Sequence, residues 1–90
     1  MLIALDYDNT YTHDPVMWNT FIKNAIARNH KVICVTMRKS IEGDEVRESI
    51  GKLCRVIFTE RRAKAAYLLD FAIRPDVWID DSPLWIYKDG

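Results

Sequence analysis

The side chains in this sequence that could do chemistry together are Asp6, Asp8, Thr36, Lys64, Asp80 and Asp81. Asp6 and Asp8 follow the apolar run "LIAL", and Asp80 and Asp81 follow "VWI". Thr36 closes "KVICV", and Lys64 lies a few residues beyond "RVIF". A lone Asp-x-Asp at the end of an apolar run is ordinarily a boundary with water. Two acidic clusters ending separate runs are harder to dismiss, because gathered carboxylates raise one another's pKa unless a cation intervenes. Oxygen donors with few other ligands suit a hard divalent ion such as Mg2+. Neither His13 nor His30 has metal-ligand spacing, which argues against zinc. Magnesium leaves part of its shell free for water and a phosphate. Thr36 offers a hydroxyl and Lys64 a cation, the groups that phosphoryl oxygens require. Phosphoryl transfer is mostly positioning and charge neutralisation, so this set of residues points to that chemistry.

Such chemistry needs elements that bring these residues to one edge. "LIALD" and "KVICVT" read as short strands buried on both faces, and "RVIFT" and "VWID" as a third and a fourth strand. Asp14 before Pro15 marks a helix start, and Val16, Trp18, Phe21, Ile22, Ala25 and Ile26 recur at helical spacing until about Asn29. "EVRESIG" predicts a short helix with Val46 and Ile50 on one face, stopped by Gly51. Thr59 is expected to cap a further helix whose buried stripe is Ala65, Leu68, Leu69 and Ala72, with Pro75 preventing its continuation. "SPLWIYKDG" fits either a short helix or an edge strand. This alternation predicts an α/β fold: a three-layer Rossmann-like sandwich with a parallel sheet of four strands, a fifth left open. Ligands in such sheets bind at the carboxyl ends of the strands, at a topological switch point. All four acids named above fall at such ends.

Thirteen acidic and thirteen basic residues cancel. Bulk charge therefore gives no basis for nucleic-acid or membrane adhesion, although a local patch stays open. The apolar fraction of 49% is that of a globular chain. Two cysteines are too few for a disulfide framework, and Cys34 within an apolar run reads as a reduced, packed thiol. The apolar runs are far shorter than the roughly 18 residues of a membrane span, and no signal peptide is visible. The expectation is one cytoplasmic domain over residues 1–90.

The ordered set "DYDNT", "VICVTMR", "AKAAYL" and "VWIDDSP" resembles the motifs of the haloacid dehalogenase-like (HAD) hydrolase superfamily, over nearly the whole chain. The resemblance implies a magnesium-dependent phosphomonoester hydrolase. Asp6 would be the nucleophile, forming an aspartyl-phosphate. Asp8 would be the acid toward the leaving group and then the base for water, with its backbone carbonyl ligating Mg2+. Thr36 and Lys64 would hold phosphoryl oxygens, and Lys64 would also restrain Asp6. Asp80 and Asp81 would hold the metal, one of them directly. An acid at position 8 favours a phosphatase, or less often a phosphotransferase, over the dehalogenase and phosphonatase branches.

The sequence also departs from that family's pattern. Members usually carry a cap domain, and neither interval between the motifs has room for one. The site is therefore expected to be open, as in relatives that take large substrates such as phosphorylated nucleic-acid ends or proteins, or that close the site by oligomerising. Thr36 is followed by Met37 and Arg38, where many relatives have Gly-Arg. Two readings of Arg38 stay open: a contact to a second phosphate or substrate carboxylate, or a solvated loop charge. Lys64 is preferred over Arg61, Arg62 and Lys52 for its place in the helix and its distance from the acidic pair. Thr10 is expected to stabilise its loop, Trp18, Trp78 and Tyr67 to lie in the core, and Trp85 and Tyr87 to pack on an edge or line an interface. Two other classes compete. A response-regulator-like receiver is disfavoured by the order of its motifs. A non-catalytic phosphate- or metal-binding module on the same scaffold is disfavoured by the presence of Asp8.

Overall fold

The computed structural model describes all residues from Met1 to Gly90. The apolar runs form strands Leu2–Leu5 (β1), Lys31–Thr36 (β2), Arg55–Phe58 (β3) and Val77–Ile79 (β4). Their Val and Ile content suits a pleated, two-sided surface. The sheet has the order β3-β2-β1-β4, and every pairing is parallel. The chain steps outward from β1 through β2 to β3 and returns to the other flank of β1 as β4. The reversal lies between β1 and β4, where open parallel sheets place their ligands. Register brings Leu5 level with Cys34 on one side and Ile79 on the other. Asp6 and Asp80 are the next residues along neighbouring strands, and the Asp6 N–H donates to the Ile79 carbonyl at 2.9 Å.

Between the strands run the helices Pro15–Ala27 (α1), Asp44–Glu48 (α2) and Lys64–Leu69 (α3), and Leu84–Tyr87 (α4) follows β4. Side chains alternate across a strand, and the core divides accordingly. Ile3, Leu5, Val32 and Cys34 pack with Ile22 and Ala25 of α1 and Val46 of α2. Ala4, Ile33, Val35 and Ile57 pack with Leu68 of α3. Each face of the sheet thus carries an apolar cluster. Trp18 joins the first cluster, and Tyr67 and Trp78 the second. No helix is long and apolar enough to cross a membrane.

Several local expectations need correction. Asp14 does cap α1, accepting from the Met17 N–H at 3.1 Å, but Val16 is exposed. At about 100° per residue it lies roughly 120° round the helix from Ile22. Gly51 does not stop α2. The helix ends at Glu48, and Gly51 lies inside a single 3-10 turn, Ile50–Lys52. Thr59 is not a helix cap either. Glu60 and Arg61 take left-handed backbone conformations, φ 54° and 66°, so the chain turns before α3 begins. The Thr59 hydroxyl donates to the Arg62 carbonyl within that turn at 2.8 Å. The buried stripe of α3 is narrower than expected, because the helix ends at Leu69 and Ala72 sits beyond it at φ 58°. Leu68 is fully buried, whereas Leu69 is 50% exposed. The ambiguous last segment is helical, with Ile86 buried and Tyr87 exposed.

Leu68→Ala should therefore cost about 2–5 kcal/mol in urea unfolding, through lost transfer energy and the cavity left behind. Leu69→Ala should cost under about 1 kcal/mol. Equal losses would show that the sheet face is covered differently.

Candidate functional site

Asp6, Asp8, Thr36, Arg38, Lys64, Asp80 and Asp81 all line one open cavity of about 450 Å3. The strands account for this convergence. Asp6 directly follows β1, Thr36 closes β2, Asp80 and Asp81 follow β4, and Lys64 opens α3. The Lys64 Nζ stands 2.8 Å from Asp6 Oδ1 and 2.6 Å from Asp80 Oδ2. Its side chain is 3% exposed, so the ammonium is almost wholly surrounded by protein. Asp6, Asp80 and Asp81 each offer a carboxylate oxygen, and these oxygens lie within 4.8 Å of one another. Three carboxylates against one ammonium leave an excess of negative charge at the ends of β1 and β4.

Thr10 ties this cluster together, which its sequence position alone undersold. Its Oγ1 lies 3.1 Å from Asp6 Oδ2 and 2.9 Å from Asp81 Oδ1, and it accepts the Asp81 N–H at 3.1 Å. A hydroxyl has one proton to give, so it can satisfy only one of the two carboxylates at a time. The Ser82 N–H in turn donates to Asp80 Oδ1 at 2.9 Å. Thr36 is buried, and its hydroxyl accepts the Arg38 N–H at 3.3 Å.

Asp8 does not join this group. Its carboxylate is held by the Arg38 guanidinium, with Nε to Oδ2 at 2.9 Å and Nη2 to Oδ1 at 2.7 Å. Arg38 is thus neither a solvated loop charge nor an unengaged cation. Its N–H groups also reach the Glu42 carbonyl at 3.1 Å and the Glu45 carboxylate, and its plane sits 5.2 Å from the centre of the Tyr7 ring. Of the competitors to Lys64, Arg61 lines the cavity, but its guanidinium pairs with Glu42. Arg62 pairs with Asp70 on the surface. Trp85 also lines the cavity, and no pattern in the sequence separated it from the edge-packing aromatics.

Electrostatics follow from this arrangement. Burial pushes the Asp6 carboxyl up, the Lys64 charge and hydrogen bond pull it down, and the shared bond with Asp81 and the charge on Asp80 push it up again, leaving it at about 6. Asp81 is also raised by burial, but hydrogen bonds from Asp6 and Thr10 outweigh this and set it below its usual value. The pair can therefore share a proton, Asp6 carrying it and Asp81 accepting. That proton stands where extra positive charge is wanted, and an all-oxygen donor set fits a hard divalent cation. The thiols offer no alternative nucleophile. Burial raises Cys34 far above its ordinary value and Cys54 to about 11.

No family model, curated protein or solved structure matches this chain.

An acid whose folded pKa is raised contributes stability that is complete below its unfolded pKa and is lost as pH rises through the folded value. Without divalent cation, the protein should therefore lose roughly 2–3 kcal/mol between about pH 4 and pH 7 relative to Asp6→Asn, which lacks the titrating group. Urea midpoints across that range, measured in chelator, check the difference. Parallel profiles for the two proteins would refute the assignment.

Proposed function

We propose that this protein is a capless HAD-type phosphatase: a three-layer, Rossmann-like domain that hydrolyses phosphomonoesters through an aspartyl-phosphate on Asp6. The observation that carries this reading is the Lys64 ammonium held between Asp6 and Asp80, with Asp81 and Thr10 beside them. A carboxylate that must attack phosphorus has to be aimed and relieved of its repulsion toward an anion. Lys64 does both for Asp6, because a hydrogen bond fixes Oδ1 and the cation neutralises charge.

In the first step Asp8, having taken a proton from solvent, gives it to the leaving oxygen as an Asp6 oxygen forms a bond to phosphorus and the ester P–O bond breaks. In the second, water attacks phosphorus, gives its proton to Asp8, and the Asp6–phosphorus bond breaks. Thr36 and Lys64 hold phosphoryl oxygens throughout. Asp6, Asp80, Asp81 and the Asp8 carbonyl would hold Mg2+, which supplies further neutralisation of phosphoryl charge. The open cavity suits a substrate larger than the phosphate it presents, such as a nucleotide or a phosphorylated nucleic-acid end. Simple phosphate binding is the alternative that the experiment separates.

With an aryl phosphate and Mg2+, the protein should turn over, and chelator should stop it. Asp6→Asn should lower kcat by at least about a thousandfold, as loss of a nucleophile does. Mg2+ binding by calorimetry without turnover of any ester in a panel of sugar phosphates, nucleotides and phosphorylated DNA or RNA ends would identify a binding module instead.

A further inference from the structure

We propose that Arg38 is a positioning residue that acts through Asp8 and does not bind the substrate's phosphate. The proposal rests on the hydrolase reading above and assigns to Arg38 the task of aiming the acid. A guanidinium has five N–H donors. Four of them are engaged: Nε and Nη2 on the two Asp8 oxygens, and Nη1 on the Glu42 carbonyl and the Glu45 carboxylate. The fork that would grip a phosphate with two parallel bonds is already spent on Asp8. Its charge is matched as well, because two carboxylates, Asp8 and Glu45, face one guanidinium. An incoming phosphate would meet a pair of anions around a neutralised cation.

The same geometry explains what Arg38 can do. Asp8 sits on the loop after β1, with its side chain 47% exposed. No contact to Lys64 or Thr10 fixes it, so an unheld carboxylate there would sample several rotamers. Arg38 fixes both of its oxygens in one plane. Arg38 is itself fixed from three directions, by the Tyr7 ring beneath it, the turn at Glu42 and Glu45 of α2. Proton transfer demands placement within hydrogen-bond reach of the leaving oxygen, and misplacing a catalytic group by about an ångström can cost on the order of a hundredfold.

The test compares wild type, Arg38→Lys and Arg38→Gln on two esters, an alkyl phosphate with a poor leaving group and a dinitrophenyl phosphate with a good one. Arg38→Lys keeps the charge and loses the fork. Both variants should lose about a hundredfold in kcat on the alkyl ester with KM within about threefold of wild type. On the dinitrophenyl ester, formation of the phospho-enzyme in a single turnover should stay near the wild-type rate, because that leaving group needs no proton. A rise in KM of tenfold or more on both esters with kcat retained would overturn the proposal in favour of phosphate binding. Full rescue by Arg38→Lys would overturn it in favour of a purely electrostatic role. Glu45→Gln, which loosens Arg38 without touching Asp8, should give a smaller loss in the same direction, and a wild-type profile there would also count against the clamp. Wild type inert toward both esters would overturn the hydrolase reading itself, before any variant is compared.

Discussion

One buried ammonium organises this molecule. Lys64 reaches from the first residue of α3 to the ends of two neighbouring strands and touches a carboxylate on each. It thereby fixes α3 against the sheet at the level where β1 and β4 end. The cost of burying these charges is large, and removing one partner from such a set leaves an uncompensated charge behind. On the hydrolase reading, Lys64 is therefore as much a constraint on the fold as a reagent. The start of its helix is held by a further contact, since the Ala63 N–H donates to Asp89 Oδ1 at 2.7 Å. The sheet and the helix thus meet at one cation, and Asp89 braces the residue just before it.

Around that cation the charges fall into two compartments that share a cavity. The inner one, Asp6, Asp80 and Asp81 with Lys64, is short of positive charge, and the Asp6 carboxyl is raised accordingly. The outer one, Asp8 and Glu45 with Arg38, is bonded more completely. Asp6 and Asp8 are two residues apart in sequence, yet their carboxylates have no partner in common. An inner group that needs a cation and an outer acid held by its own arginine form a division of labour suited to a nucleophile and a proton carrier.

Much of this was legible because parallel strands write themselves plainly. A strand buried on both faces must be apolar throughout, so its ends are marked wherever the sequence turns charged. That made Asp6 and Thr36 identifiable; Asp80 follows the partly buried edge strand β4, where an apolar run before two acids still marked the end, and strand alternation brought all three to one edge. The helices were less legible. Periodicity suggested that Leu69 and Ala72 would be covered, but α3 stops early and Leu69 is left half exposed. Thr59 has the chemistry of a cap and lacks the geometry, because two left-handed residues intervene. The Asp8–Arg38 pair was out of reach for a different reason. Its partners lie thirty residues apart on loops after different strands, and no local pattern encodes which of several arginines a loop carboxylate will meet. Thr10 was visible, but its link to Asp81 spans 71 residues.

The cavity stands open to solvent, with no inserted domain in either interval between β1 and β3. On the hydrolase reading, this shape decides the fate of the aspartyl-phosphate. In an enclosed site an acceptor alcohol can be held against the intermediate while water is kept away, and the phosphoryl group moves on to that acceptor. An open site gives bulk water continuous access to phosphorus, and a competing acceptor would have to outrun the solvent itself. The intermediate should therefore be short-lived, and its phosphoryl group should end in water rather than on another alcohol. On that reading, the open cavity bears on the acceptor as well as on the substrate.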